Sequence, residues 1–200
     1  MDHYGPKTAL IVVDVQNDFA DPDGSLSVPE GETSVAAVNR EIAAALEAGA
    51  TVVATQDWHP ERTPHFVTDG GPWPVHCVGG TWGAALHPTL ELPAEAPRVR
   101  KGANGEDGYS GFTMRDPQTG ETTPTELEGL LKAAGVDTVA VVGLATDYCV
   151  KATALDAIRL GFDTTVLTNA VAAVNVAPGD GDRALEELRM AGVQLRRSVA

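Results

Sequence analysis

The 200-residue chain carries 28 acidic and 14 basic residues, a formal net charge of −14. A field of that sign repels phosphate backbones and anionic lipid surfaces, so it argues against nucleic-acid and membrane partners and favours a neutral small molecule. The length and the 43% hydrophobic content suit a single domain over residues 1–200. Two cysteines make no disulfide framework, which predicts a cytoplasmic location. The sequence leaves open whether the protein forms a homo-oligomer.

Short apolar runs alternate along the chain with stretches of helical periodicity. The first predicted strand is Ala9–Val13, and the first long helix lies between Gly31 and Gly49, where apolar residues recur at i, i+3 and i+4. Five further strands are predicted, at Thr51–Thr55, Arg98–Lys101, Val136–Val142, Thr164–Thr168 and Val193–Arg196.

Three more helices are expected between these strands. Thr123–Glu126 has the pattern of a capping box with proline at the first helical position, and the helix would end at Gly135. Asp147–Leu160 and Arg183–Met190 are the others. This alternation predicts an α/β, three-layer fold with a central parallel six-stranded sheet and helices on both faces. The exception is Gln56–Pro97, and a loop that long is usually functional.

Reactive side chains follow four of the predicted strands. Asp14 closes the first, Asp57 and His59 follow the second, Lys101 closes the third, and Cys149 follows the fourth. Ligands of parallel α/β sheets bind beyond the carboxyl ends of the strands. We therefore expect these five residues to meet at one edge of the sheet.

Cys149 lies in GLATDYCV, Gly143–Val150, where a strand turns into a helix. The positive end of a helix lowers a thiol pKa from about 8.5, and its N–H groups can hold an oxyanion. A nucleophile and a small buried cysteine both remain open. Asp14 could exchange protons or cap a turn. Lys101 could pair with Asp14, stabilise the thiolate or lie in solvent. Cys77 is interpreted as a structural thiol.

The long loop carries side chains that could bind a metal. Asp57 and His59 are two residues apart, on the same face of an extended chain, and Pro60 disfavours helix at His59. His76 and His65 add imidazoles. A carboxylate with two or three imidazoles suits Zn²⁺, Fe²⁺ or Mn²⁺, although exposed loop histidines are the alternative.

Three aromatic residues, Phe19, Trp73 and Tyr109, fall in loops beside the reactive motifs. Together they suggest a slot for a flat ring, with ordinary loop packing as the alternative. The remaining histidines, His3 and His87, are assigned to the surface.

Five segments together resemble the isochorismatase-like cysteine hydrolases and, within them, the nicotinamidase/pyrazinamidase family. They run nearly from end to end and in family order: Leu10–Phe19 (LIVVDVQNDF), Thr55–Pro60 (TQDWHP), Trp73–Val78 (WPVHCV), Lys101–Phe112 (KGANGEDGYSGF) and Gly143–Val150 (GLATDYCV).

The resemblance implies roles for particular residues. It implies a catalytic triad of Asp14, Lys101 and Cys149. It implies one divalent transition metal, zinc before iron or manganese, held by Asp57, His59 and His76, with His65 matching a fourth ligand position found in some members. Positions that line the nicotinamide ring match Phe19, Trp73 and Tyr109. A cis peptide bond is implied at Leu144–Ala145.

The implied reaction converts nicotinamide to nicotinate and ammonia, and pyrazinamide likewise. Asp14 takes the proton of the Cys149 thiol, and the thiolate attacks the carboxamide. The backbone N–H groups of Ala145 and Cys149 stabilise the oxyanion, and water then hydrolyses the thioester. Lys101 holds the Asp–Cys pair in its charged form.

Three alternatives remain. A metal-independent amidohydrolase of the same superfamily could act on a ureido or carbamoyl substrate, but such relatives generally lack the metal ligands. Isochorismate-cleaving relatives lack the nucleophilic cysteine. A catalytically inactive binding domain would have no physical need for all three triad side chains.

Overall fold

The computed structural model describes residues 4–197 and contains a six-stranded sheet in which neighbouring strands are parallel. Its strands are β1 Thr8–Val13, β2 Thr51–Asp57, β3 Arg98–Lys101, β6 Thr138–Leu144, β7 Asp163–Ala172 and β8 Gln194–Arg196. The order across the sheet is β3-β2-β1-β6-β7-β8. A separate antiparallel hairpin pairs β4, Thr113–Arg115, with β5, Thr122–Pro124.

The helices are α1 Asn17–Ala20, α2 Gly31–Glu47, α3 Leu127–Ala133, α4 Lys151–Arg159 and α5 Asp180–Met190. A 3-10 turn spans Val67–Asp69, and a π-helical turn spans Thr146–Val150 directly before α4. No helix within residues 4–197 has the length and apolar character needed to cross a membrane.

Two apolar cores lie on opposite faces of the sheet, because successive strand residues point to opposite sides. Leu10 and Val12 of β1 belong to the core that α2 covers, whereas Ala9 and Ile11 belong to the core under α3, α4 and α5. Every residue of β1 is buried, which explains why its sequence is apolar from Ala9 to Val13. The predicted three-layer α/β fold is confirmed.

Predicted strand boundaries differ from the observed ones by a few residues. The fourth strand of the sheet is two residues further along the chain than Val136–Val142, and β7 continues to Ala172 rather than ending at Thr168. Its pairing with β6 shifts register between Val141 and Gly143. Local apolar patterns do not report such irregular pairing.

The predicted capping box at Thr123–Glu126 is wrong. Pro124 is the last residue of β5 and pairs with Thr113, so this segment belongs to the hairpin. The helix begins at Leu127, whose N–H donates to Thr125 Oγ1 at 3.2 Å. The capping pattern is local, and it cannot report that the hairpin partner recruits the same residues.

The long segment after β2 is irregular, as predicted. Between Asp57 and Arg98 it contains only the short 3-10 turn and isolated bridges, including His59 with Val78. Phe66 within it is fully buried. The segment is therefore packed onto the sheet edge rather than extended into solvent.

Candidate active site

Asp14, Lys101 and Cys149 meet at the carboxyl edge of the sheet, although they are far apart in sequence. Asp14 follows β1, Lys101 ends β3, and Cys149 lies in the π-helical turn after β6. Lys101 Nζ lies 2.6 Å from Asp14 Oδ2 and 3.5 Å from Cys149 Sγ. All three side chains are buried. The edge thus holds a thiol, a carboxylate and an ammonium in one cluster.

Burial and charge act in opposite directions within this cluster. Burial raises the pKa of the Cys149 thiol well above its ordinary value, although Lys101 acts against it. The expectation that the helix end lowers this pKa is therefore wrong, because full desolvation of the thiolate dominates. Burial also raises the pKa of Asp14, against the pull of Lys101.

For the pKa of Lys101, charge outweighs burial. Burial alone would lower the pKa of Lys101, but the negative charges of Asp14 and Cys149 outweigh it and raise that pKa. The ammonium therefore stays charged, while the neighbouring carboxyl holds a proton more readily than an ordinary aspartate. This arrangement suits proton exchange between thiol and carboxylate beside a permanent cation.

Further contacts fix the cluster. Thr55 Oγ1 donates to Asp14 Oδ1 at 2.6 Å, and Lys101 Nζ also donates to the Gly108 carbonyl. Gly143 has φ 106°, and a Cβ there would lie 2.1 Å from the carbonyl oxygen of Val13. Only glycine allows the end of β6 to approach the end of β1 so closely.

The turn that carries Cys149 is held from both sides. The peptide bond Leu144–Ala145 is cis, which confirms the implication of the family resemblance. The Val150 N–H donates to the Ala145 carbonyl at 3.1 Å. The Asp147 carboxylate accepts the N–H groups of Val174 and Asn175, at 3.0 and 2.8 Å. Sequence reasoning gives Asp147 no role, and its position two residues before Cys149 is the only signal that could have found it.

The three loop histidines His59, His65 and His76 lie together, with candidate ligand atoms within 4.8 Å of one another. We call these three residues the histidine cluster. Asp57 lies beside it, with Oδ2 3.0 Å from His59 Nε2 and 3.2 Å from His76 Nε2. His76 Nδ1 donates to the Pro74 carbonyl at 2.7 Å, so Nε2 faces the cluster. The alternative of exposed loop histidines is excluded, because all three are buried.

The histidine cluster and Asp57 fit a metal ion. Two buried atoms, Asp57 Oδ1 and His59 Nδ1, have no hydrogen-bond partner within residues 4–197. Buried polar atoms normally have partners, so the protein alone does not satisfy the polar groups of Asp57 and His59. Imidazole nitrogens with a carboxylate are the donor set of many transition-metal sites.

A pocket of about 390 Å³, including its open mouth, separates the catalytic cluster from the histidine cluster. Cys149 and His76 both line it, and so do the three aromatic residues predicted for a ring slot, Phe19, Trp73 and Tyr109. Trp73 Nε1 donates to Tyr109 Oη at 2.8 Å. Burial raises the pKa of Tyr109 to about 12, so its phenol remains neutral.

Sequence reasoning misses several residues of the pocket wall: Leu26, Gly108, Tyr148 and Val174. Tyr148 packs edge-on against Trp73, with ring centroids 4.8 Å apart. Its position next to Cys149 could have suggested it. Leu26 and Val174 come from segments without a motif, and only the folded chain brings them here.

Three residues assigned to positions outside the pocket have different outcomes. The prediction that His87 lies at the surface is wrong: it is buried, with Nδ1 2.9 Å from Thr89 Oγ1 and its backbone N–H donating to the Val15 carbonyl. The loop packs onto the end of β1, which the local sequence does not reveal. His3 lies outside the described residues. Cys77 is a free, buried thiol in the core, consistent with a structural role.

Fold and site together define a class: an α/β protein with a buried thiol, carboxylate and ammonium at the sheet edge, facing a histidine cluster across a small pocket. The model of the isochorismatase domain matches residues 8–198. The chain belongs to this family.

Individual relatives show which members of the family the chain resembles. The chain is 40% identical to a nicotinamidase of Escherichia coli K12, over 95% of this chain and 94% of that one. A crystal structure of the Pyrococcus horikoshii pyrazinamidase in complex with zinc is 43% identical, with a TM-score of 0.86 over 96% of this chain and 100% of that one. Yeast nicotinamidase bound to the inhibitor nicotinaldehyde is 31% identical, also with a TM-score of 0.86 and the same coverage.

Proposed function

We propose that the protein is an amidohydrolase that converts nicotinamide to nicotinate and ammonia, and accepts pyrazinamide as well. The observation that carries the proposal is the buried Asp14–Lys101–Cys149 cluster, which opens into a pocket lined by aromatic rings and His76. A neutral, flat amide suits such a pocket. A nicotinamidase relative aligned over nearly the whole of both chains supports this substrate class.

In the first half-reaction, Asp14 accepts the thiol proton and the Cys149 sulfur attacks the carboxamide carbon. A C–S bond forms while the carbonyl oxygen becomes an oxyanion. Asp14 then returns the proton to the amide nitrogen, the C–N bond breaks, and ammonia leaves a thioester on Cys149. The raised pKa of Asp14, caused by burial, suits it to accept and return this proton.

In the second half-reaction, Asp14 takes a proton from water, whose oxygen attacks the thioester carbon. The C–S bond breaks, the proton on Asp14 restores the thiol, and the product leaves as nicotinate after its carboxyl proton passes to solvent, where it protonates the released ammonia. Lys101 keeps its charge throughout and offsets the negative charge shared by carboxylate and sulfur. The backbone N–H groups of Ala145 and Cys149 hold the oxyanion in both steps, in the turn where the Leu144–Ala145 peptide is cis.

The residues proposed to hold a metal are Asp57, His59 and His76, with His65 as a fourth. Zinc is the proposed ion, because imidazole and carboxylate ligands suit it. Such an ion supplies a Lewis-acidic position for the ring nitrogen of the substrate. Phe19 and Trp73 then position the ring, and Tyr109 closes the wall beside Trp73.

We also propose a domain organisation and a cellular location for the protein. Residues 1–200 are proposed to form one hydrolase domain that works in the cytoplasm. Cys77 and Cys149 are both free, which suits a reducing compartment.

The test is ammonia release from nicotinamide, pyrazinamide and benzamide, each with and without a chelator. Benzamide keeps the flat ring and the amide but lacks the ring nitrogen. A lost methylene costs only about 1–3 kcal/mol, and losing the ligand bond should cost more, so benzamide should fall by over about 200-fold in kcat/KM. Equal hydrolysis of benzamide would contradict the metal's role in specificity. Turnover of a ureido substrate alone would favour the metal-independent alternative.

A further inference from the structure

Asp107 is a buried carboxylate next to the histidine cluster, and it has no part in the reaction described above. Its Oδ1 lies 2.7 Å from His65 Nδ1, and both side chains are buried. The two residues are 42 positions apart in sequence. His65 thus has a carboxylate partner of its own, whereas His59 and His76 share the carboxylate of Asp57.

The contact with Asp107 determines which nitrogen of His65 is free to bind a metal ion. An ionised carboxylate can only accept a hydrogen bond, so His65 Nδ1 must carry the proton and donate it. Nε2 then has a free lone pair. The His65 ring stacks on the His59 ring, with centroids 4.7 Å apart and planes at 25°. A ring held in this way presents Nε2 as a ligand atom without having to reorient.

Asp107 is itself anchored. Its N–H donates to the Arg115 carbonyl at 2.7 Å, the Arg115 N–H donates back at 3.4 Å, and Arg115 Nη1 lies 3.5 Å from Asp107 Oδ2. The β4–β5 hairpin therefore fixes the carboxylate. The stretch of chain before Asp107 also contacts the stretch before His65, because Thr63 Oγ1 donates to the Gly105 carbonyl at 2.8 Å.

We infer that Asp107 is a positioning residue for the metal: it fixes the orientation and tautomer of His65 so that Nε2 completes the site with His59 and His76. The inference rests on the proposed metal site and deepens it. Partners that orient a ligating histidine in this way typically contribute about 10–100-fold to metal affinity. The segment that supplies Lys101 to the catalytic cluster and Tyr109 to the pocket wall also supplies this carboxylate, so one stretch of chain contacts both clusters.

The experiment measures zinc affinity, not turnover. Zinc-loaded full-length protein is titrated with a chromophoric chelator, and the transfer of Zn²⁺ gives its dissociation constant. The variants are Asp107→Ala, Asp107→Asn, His65→Ala and the double variant Asp107→Ala/His65→Ala. Asp116→Ala is the matched control, since Asp116 lies in the same hairpin and binds only its own turn, through the N–H groups of Gln118 and Thr119.

We expect Asp107→Ala to weaken zinc binding by about 10–100-fold. Asp107→Asn should lose less, because its amide oxygen still accepts from Nδ1. In the His65→Ala background, Asp107→Ala should have no further effect, and Asp116→Ala should bind zinc like the wild type. This pattern would show that Asp107 acts through His65 rather than through general stability.

An Asp107→Ala protein that holds zinc within about threefold of wild type would overturn the inference, as that is well below the range expected for such partners. An equal loss with or without His65 would also overturn it. If Asp107→Ala does not fold, Asp107→Leu, which is closer in size to aspartate and cannot accept from Nδ1, replaces it in the cycle under the same criterion. Wild-type protein that retains no zinc would instead contradict the proposed metal site itself, which keeps the two failures distinct.

Discussion

The catalytic cluster and the histidine cluster face one pocket but are built in different ways. Asp14 and Lys101 lie at the ends of strands, and Cys149 lies in the turn directly after one. The three histidines lie in the irregular segment between β2 and β3. Strand ends are positioned by the hydrogen bonding of the whole sheet. Loop side chains depend on individual contacts, such as those of His76 with Pro74 and of His65 with Asp107.

This difference has a consequence for mutation. Changes within the catalytic cluster should alter chemistry and leave substrate binding intact, because the sheet keeps the geometry. Changes in the loop should release the metal while the fold remains. The following expectations are ordered from the largest effect to the smallest.

Cys149→Ala should reduce turnover to the uncatalysed background, because no other group can form the thioester. The affinity for nicotinamide, measured by calorimetry, should change little since the ring contacts remain. Iodoacetamide should label Cys149 before Cys77, because Cys149 lines the pocket whereas Cys77 is fully buried. Activity in Cys149→Ala, or faster labelling of Cys77, would contradict the nucleophile assignment.

Asp14→Asn should lower kcat by about 10²–10⁴, the usual contribution of a general acid–base group. The amide keeps the shape of the carboxylate but cannot accept the thiol proton. Asp163→Asn is the control, since Asp163 lies at the opposite, amino-terminal end of the sheet. A loss below about tenfold, small on that scale, would show that another group is the base.

His76→Ala should reduce the metal content of the purified protein from about one ion per chain, the number expected for one ligand cluster. Elemental analysis measures this content, and circular dichroism should show an unchanged fold. His87→Ala is the matched control, because His87 is another buried histidine of the same segment but lies outside the cluster. Active protein without any metal would favour the alternative of a metal-independent amidohydrolase.

The two clusters also differ in how far sequence can predict them. Asp14 and Cys149 follow apolar strands and Lys101 ends a third strand, so the rule that parallel strands end at one edge is enough to place the three together. The loop histidines are indicated only by residue type and resemblance, and local sequence does not separate the buried His87 from a surface residue. The Asp107–His65 contact joins distant segments, so no local pattern reports it.

The pKa of Cys149 shows a second limit of sequence reasoning. Its place at a helix end predicts a lowered value, but that effect depends on solvent exposure and neighbours. Burial dominates here, and only the folded structure gives its extent. The positions of reactive groups are thus more predictable than their electrostatics.

The smallest expected effect is that of Thr55→Val, which removes the hydroxyl that donates to Asp14 Oδ1 at 2.6 Å. This hydrogen bond lowers the pKa of Asp14, in opposition to burial, so its loss should raise that pKa further. Asp14 must be deprotonated to accept the thiol proton, and kcat/KM therefore falls as the pH drops through its pKa. The acid limb of the pH profile should accordingly move to higher pH in the variant.

A hydrogen bond to a charged group contributes about 1.5–3 kcal/mol, and part of it is regained when Asp14 is protonated, so we expect a loss of about tenfold in kcat/KM on the acid limb. Thr51→Val, at the start of the same strand, is the matched control and should leave the profile unchanged. Movement of the acid limb to lower pH would mean that Thr55 stabilises the protonated carboxyl. An acid limb that does not move at all would mean that the group whose ionisation limits kcat/KM is not Asp14.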